Sequence, residues 1–140
     1  MDITMTQQDA REFLAGVHVG ILAIAHEGHG PLALPIWYSF DDGDVTISIS
    51  GSSMKAKLLR AAGRATMTVQ SETPPYKYVS VEGPVQLEAP EGDNLSMAVR
   101  YLGKGTGQWY ADNNPVGEDS VVVRLTPEKW RTTDYAKAMG

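Results

Sequence analysis

The chain has 140 residues, 42% hydrophobic and 21% charged, with a formal net charge of −5 and no cysteine. That length suits one domain with a real core, and the missing thiols exclude disulfides, thiolate metal sites and a cysteine nucleophile. The acidic balance argues against general nucleic-acid binding, which needs a basic footprint.

No apolar run approaches the roughly 18 residues of a membrane span, so no membrane partner is expected. The first residues, Met1-Asp2-Ile3-Thr4, lack the basic and apolar regions of a signal peptide, which gives the expectation of a cytoplasmic protein. Thr6-Gln7-Gln8-Asp9 reads as a helix start, with Thr6 as N-cap and Asp9 in the first turn. The helix covers 7–15, and Gly16 can close it. Residues 17–25 are apolar and rich in branched side chains, long enough for a buried strand. His18, beside that strand, is read as structural. His26-Glu27-Gly28-His29-Gly30 is a turn, and without a third ligand nearby its two histidines do not make a metal site. Residues 31–40 return as a second strand, and Asp41-Asp42-Gly43-Asp44 is a hairpin turn into a third over 45–50.

A helix is expected over 53–62. Ala65, Met67 and Val69 then alternate with Thr66, Thr68 and Gln70 in a half-polar fourth strand. A long fifth strand covers 76–88, where Val79, Val81, Val85 and Leu87 keep one parity across Gly83-Pro84. Such a Gly-Pro pair suggests a bend or bulge, as when a sheet curls. Tyr76, Lys77 and Tyr78 either border a substrate cleft or pack as an exposed strand end. Residues 93–102 read as a helix with Leu95, Val99 and Leu102 on one side. Residues 103–117 form a Gly- and Asn-rich connection without the Gly-Lys-Ser/Thr order of a phosphate loop. Within it, Trp109 and Tyr110 either clamp the connection to the sheet or serve as a lid. A sixth strand at 121–125, a stop at Pro127 and a short last strand over 130–135 complete the chain. Mostly antiparallel strands without strict strand–helix–strand alternation indicate a mainly β protein with a few helices, one domain over 1–140, its sheet curled or closed into a small barrel.

The most informative stretch is 45–64. Val45, Ile47 and Ile49 form one face of the third strand, and Ser48 and Ser50 belong to the other. The strand turns at Gly51 into Ser52-Ser53-Met54-Lys55-Ala56-Lys57, so a helix opens on hydroxyls and ammonium groups. Lys55, Lys57, Arg60 and Arg64 place four of the chain's 12 Lys and Arg within ten positions. Unsatisfied N–H groups and the positive end of the helix dipole suit such a start to a phosphate or carboxylate. On a helical wheel Met54, Leu58, Leu59, Ala61 and Ala62 share an apolar arc, with Lys57 and Arg60 outside it. Lys55 falls inside the arc, in the first turn, where the dipole disfavours a cation by a few tenths to about one kcal/mol. Either a bound anion offsets that cost, or Lys55 snorkels past the apolar face to water. Pro35, lacking a ladder donor, belongs at a strand edge or bulge, where backbone can meet a ligand.

Four stretches carry a resemblance in order and spacing. They are Gly20-Ile21-Leu22-Ala23, Pro31-Leu32-Ala33-Leu34-Pro35-Ile36-Trp37-Tyr38, Ser52-Ser53-Met54-Lys55-Ala56-Lys57, and Tyr76-Lys77-Tyr78-Val79-Ser80-Val81-Glu82-Gly83-Pro84-Val85. Together they resemble the pyridoxamine 5′-phosphate oxidase-like split β-barrel proteins, and within them the flavin/deazaflavin oxidoreductases that include coenzyme F420-dependent reductases. The resemblance implies a homodimer with cofactor sites at the subunit interface. By position, Leu34, Pro35, Ile36 and Trp37 would border the cofactor ring. Ser50, Ser52, Ser53, Lys55 and Lys57 would take its phosphate or linked chain. Trp37 and Tyr38 also suit a core or a dimer interface. Coenzyme F420 carries an oligoglutamate tail, which gives a second cation a use, whereas FMN needs only its phosphate held. The pyridoxamine phosphate oxidases proper use further basic residues near the C-terminus. Here that region has Lys129, Arg131 and Lys137 in no matching arrangement, so that activity is not expected.

The resemblance therefore implies an oxidoreductase that passes a hydride from reduced F420 to an unsaturated or conjugated small-molecule acceptor. The cofactor carries the chemistry, and no catalytic side chain is required. Alternatives are an FMN-dependent enzyme of the same fold, or a protein that binds a cofactor or apolar ligand without turnover.

Overall fold

The structure, a computed structural model, describes residues 2–139. The first helix, α1 (Gln7–Ala15), is capped as its sequence indicates: Thr6 Oγ1 accepts from Asp9 N at 3.1 Å, and α1 buries Ala10 and Leu14. The following strand, β1 (Gly20–Ile24), is shorter than the apolar run that contains it. Residues 17–19 leave the ladder because His18 folds back on α1. Its Nε2 lies 2.9 Å from the Phe13 carbonyl, and its own carbonyl accepts from the Tyr101 hydroxyl at 2.6 Å.

The strand expected over 31–40 is two strands, β2 (Leu32–Ile36) and β3 (Ser39–Asp41). The break falls at Trp37 and Tyr38. Tyr38 is fully buried and donates its hydroxyl to Leu14 O at 2.7 Å. Its N–H donates to the Tyr101 hydroxyl at 3.0 Å, replacing a ladder bond. Burying a large side chain and pairing the backbone off-ladder outweigh the local preference for one long strand. The hairpin into β4 (Asp44–Ser50) has Asp42 and Gly43 at φ 54° and 85°, the positive pair that a tight two-residue turn needs.

Helix α2 (Met54–Ala62) starts at Ser53, whose hydroxyl accepts from Ala56 N at 3.2 Å, and ends on left-handed Gly63. Its buried face is Ala56, Leu58 and Leu59, with Met54 and Ala61 exposed. That rotates the inward face away from the arc expected from the wheel and toward the fully buried Ala56. Lys55 is half-buried and Lys57 exposed.

The remaining elements are β5 (Arg64–Gln70), β6 (Lys77–Glu88), α3 (Leu95–Leu102), α4 (Lys104–Asn113), β7 (Ser120–Leu125), β8 (Lys129–Asp134) and a 3-10 turn, Tyr135–Ala138. Helix α4 occupies the stretch expected to be an irregular connection. Glycines make it a poor helix by propensity, but Gly107 lets it lie directly on α3. A Cβ at Gly107 would stand 2.7 Å from the Val99 N and Cα atoms. Tertiary contact forms this helix, which is why its sequence hides it.

All strand pairs are antiparallel, in the order β2-β1-β5-β6-β7-β4-β3, with β8 also on β6. Strand β6 is the spine. Along one edge it pairs with β5. On the other it pairs first with β8, over Lys77 to Glu82, and then with β7, over Val85 to Glu88. The change of partner falls at Gly83-Pro84, where a bend is expected. Residues 126–128 cross there, with Thr126 N donating to Pro84 O (3.0 Å) and Glu128 N to Glu82 O (2.8 Å). A Cβ at Gly83 would lie 1.9 Å from Thr126 O, so only glycine fits. The curled sheet closes on one core that includes Leu14, Leu22, Tyr38, Ile47, Leu59, Met67, Val81 and Leu125. No helix among the described residues is long and apolar enough to cross a membrane.

Two outcomes follow. Gly83→Ala forces the crossing backbone to move and should lower unfolding free energy by about 3 kcal/mol, the upper range for overpacking, read from urea melts. Partial burial, helped by the charge of Arg100, holds the His18 imidazole below its ordinary 6.5. The unfolded chain therefore binds a proton there first, and His18's contribution is complete above that value and lost as pH falls through it. His18→Gln should flatten the decline of stability between about pH 7.5 and 5.5 relative to the parent protein.

Candidate functional site

A cavity of about 770 Å³ lies between the two halves of the curled sheet and the α3–α4 hairpin. One wall is the end of β2 with Pro35, Ile36 and Trp37. Pro35 is on an edge strand, opposite Ile21 of β1, so its missing N–H interrupts no second ladder. The facing wall is the polar side of β4, Ser48 and Ser50, with their ladder partners Val122 and Ser120 on β7. These serines face out because Val45, Ile47 and Ile49 take the core side of the same strand.

The roof comes from the hairpin. Trp37 stacks on Tyr101 with centroids 4.9 Å apart and planes 3° from parallel, and Tyr110 meets Trp37 at 5.3 Å, tilted by 52°. Tyr110 thus holds the hairpin against the sheet. Trp109, expected to share that task, points away and is 62% exposed. Asn94 donates Nδ2 to Asn114 O at 2.5 Å, while its Oδ1 is shielded from solvent without a partner among the described residues. A buried acceptor left unpaired is costly, and Asn94 stands at the cavity wall with that atom turned into the protein. Glu91 and Asp93 also line the cavity, and among the described residues no Lys, Arg or His does.

Ser50 joins this cavity to the start of α2. Its Oγ lies 3.2 Å from Ser52 Oγ, and both hydroxyls donate to the carboxylate of Asp119, Ser52 at 2.7 Å. Ser52 N donates to the same carboxylate at 3.2 Å, and Gly51 N to the Asp119 carbonyl at 2.6 Å. Hydrogen bonds from Ser50 and then Ser52 hold the Asp119 carboxyl below the usual carboxylate range, with help from the Arg60 charge. Ser53 is committed to capping: its hydroxyl donates to Ser50 O at 2.7 Å while accepting from Ala56 N. Arg60 donates to Gly51 O at 2.7 Å. Among the described residues, Lys55 and Lys57 have no ion-pair partner.

Of the residues expected to border a cofactor ring, Pro35, Ile36 and Trp37 therefore meet at one cavity with Ser50. Leu34 lies on β2 opposite Leu22 and is half-buried, outside the cavity lining. Ser52, Ser53, Lys55 and Lys57 cluster at the helix start, next to the cavity rather than in it. Sequence reasoning missed Asn94, Tyr101 and Asp119. Asp119 reaches Ser50 from 69 positions away, and no local pattern announces such a contact. Tyr101 sits at helical spacing in α3 and reads only as one more aromatic. His26 and His29 stack on each other at 4.0 Å. Tyr78 lines a separate cavity of about 430 Å³, and Tyr76 is exposed.

The family model for pyridoxamine 5′-phosphate oxidase matches residues 6–134. No curated protein matches the sequence. Among solved structures, a conserved hypothetical protein of Mycobacterium tuberculosis superposes with a TM-score of 0.79 at 24% identity, covering 99% of this chain and 91% of its own. An F420 reductase gives 0.66 at 19% identity, over 86% and 94%. A FAD-binding protein of Mesorhizobium loti gives 0.66 at 20%, over 92% and 94%. At these identities the structural likeness bears on the fold. The family match spans nearly the whole length, and the curled antiparallel sheet agrees with it: this chain belongs to the pyridoxamine 5′-phosphate oxidase family and has its split β-barrel fold.

Proposed function

We propose that the protein is an oxidoreductase that uses reduced coenzyme F420 to reduce an unsaturated or conjugated small molecule, acting as a homodimer. The observation that carries this reading is the link, through the Ser50–Ser52 contact, between a cavity bordered by Trp37 and a lysine-bearing helix start. The cavity's size and the Trp37–Tyr101 stack suit a tricyclic ring. When bound, the reduced coenzyme supplies the hydride. The chain's own residues position the ring, shield it from water and neutralise the anionic end. Lys55 lies nearest the helix start, and Lys57, one turn-half further on, offers a second charge to a tail carrying carboxylates. Two unpaired lysines favour F420 over FMN, which has no such tail.

Pyridoxamine phosphate oxidase activity itself finds less support. Lys129 and Arg131 both lie within 4 Å of Glu82, at 3.9 and 3.7 Å, and Lys137 donates to Thr4 O at 2.6 Å. These basic groups are tied to structural partners.

A dimer is favoured by the odd-numbered side chains leading into and along β1. Val17, Val19 and Ile21 are 56%, 53% and 43% exposed on the face away from the core. Val19 and Pro35, neighbours on that face, also line the cavity, so a second subunit packed there would cover its mouth. Apolar strips of this kind mark association surfaces.

Fluorescence titration with F420 and with FMN tests the reading. Binding of neither below about 100 μM, about −5.5 kcal/mol, would overturn it. Lys55→Ala should weaken coenzyme binding by ~1.5–3 kcal/mol, the range for hydrogen bonds to charged groups, and leave the melting of the apo protein unchanged. Light scattering should return twice the chain mass of 15.2 kDa. Ile21→Glu should yield monomers that bind coenzyme more weakly, and a wild-type monomer would sink the dimer proposal.

A further inference from the structure

The two helices that roof the cavity are held by different means. Helix α3 is fastened by polar side chains. The Tyr101 hydroxyl accepts from Tyr38 N and reaches the His18 and Tyr38 carbonyls, and Arg100 donates to Ala15 O and Gly16 O. Helix α4 has no such fastening among the described residues. Its side-chain hydrogen bonds stay within its own turns: Gln108 to Asp112 at 2.8 Å, Asn113 to Trp109 O at 2.8 Å, Asn114 to Tyr110 O at 3.0 Å. Gly107 is its one buried residue, and α3 is the element it packs against. The near half of α4 rests there, glycine on the backbone of Val99. Gly107 N bonds inside α4, to Gly103 O, so this contact, unlike the crossing at Gly83, is not pinned by hydrogen bonds on either side.

We infer that residues 108–116 are a lid over the cavity, rocking about Gly107 and latched shut by Tyr110 on Trp37 and by Asn94 on Asn114. The latches are one aromatic contact at 5.3 Å and one hydrogen bond, Asn94 Nδ2 to Asn114 O at 2.5 Å. Tyr110, Asn114, Pro115 and Val116 form the inner surface, since all four line the cavity. Trp109, 62% exposed, belongs to the outer one. Both ends of the moving stretch are glycines in open space. Gly103, at φ 82°, and Gly117 have no heavy atom within 4 Å of where a Cβ would stand. Beyond Gly117 the chain is fixed again as Ser120 begins β7. A helix weak by propensity, burying almost no side chain, is the kind of element that opens on its own. Gating segments are drawn from that end of the stability range. The lid serves whatever small molecule the cavity takes, coenzyme or other.

Hydrogen exchange of the full chain, followed by NMR, tests the lid without a ligand. Amides 108–113 of α4 should exchange about tenfold faster, or more, than amides 98–102 of α3. Asn94→Ala removes one latch and should speed the α4 amides about fivefold while leaving those of α3 unchanged. Exchange of both helices at one rate, or an α4 rate that Asn94→Ala does not raise, would overturn the inference. Passage of small molecules is the second readout. The chain has no cysteine, so Asn94→Cys with Asn114→Cys can be bridged selectively by a short bismaleimide. In stopped-flow fluorescence with F420 and with FMN, the bridged protein should show association and dissociation both slowed about tenfold or more against the unbridged double variant. Kd should stay within about threefold, because both rates fall together. Unchanged rates after bridging would overturn the lid. If wild-type protein binds neither coenzyme, the functional reading falls, and the exchange rates still decide the lid.

Discussion

The hydroxyl of Tyr101 sits among three backbone groups at the break between β2 and β3, accepting from Tyr38 N and lying within donating distance of the His18 and Tyr38 carbonyls. A strand that stops inside a protein leaves polar backbone groups that must find partners, and this one hydroxyl supplies them. It therefore permits the chain to leave one half of the sheet at Ile36 and enter the other at Ser39. Tyr38 then turns inward as part of the core while Trp37 turns toward the cavity. The ring that carries the hydroxyl is also the ring on which Trp37 stacks. Arg100, one residue earlier, donates to Ala15 O and Gly16 O and ties the same helix to the end of α1. One helix thus fixes the strand break, the aromatic wall and the hairpin above it.

The opposite constraint lies at Gly83. Strand β6 belongs to both halves of the sheet, and its change of partner sets the angle between them. The cavity walls come from different halves, β2 on one side and β4 with β7 on the other. Their separation is thus decided at a position that touches no ligand. A close crossing of backbone over a glycine is stiff, since the residue cannot be enlarged and the crossing N–H groups of Thr126 and Glu128 donate to carbonyls of the spine on either side of it. That rigidity is what a site for a planar ring requires.

Charge is divided between the cavity and its mouth. Carboxylates of Glu91 and Asp93 border the cavity, whereas the lysines stand outside it on α2. Under the proposed function, a ring would lie in the apolar part and its charged chain would turn to the lysines. Asp119 places a further negative charge at the Ser50–Ser52 contact. The same contact explains how serine hydroxyls and the Ser52 N–H at the helix start are satisfied in the protein by itself.

Local chemistry made much of this legible beforehand. Thr6, Ser53 and Gly63 mark helix ends, Asp42-Gly43 marks a hairpin, and the alternation in β4 and β5 assigns inward and outward faces. These signals act over a few residues, so a sequence displays them directly. The family pattern and the edge position of Pro35 were legible for the same reason. Long-range packing decided the rest. It split residues 31–40 around a buried tyrosine, coiled a glycine-rich stretch into α4 against α3, and turned α2 onto Ala56. It also brought Asp119 to Ser50 and Ser52. Each of these depends on two segments far apart in the chain meeting at contact distance, and the energy of that meeting is written in neither segment alone.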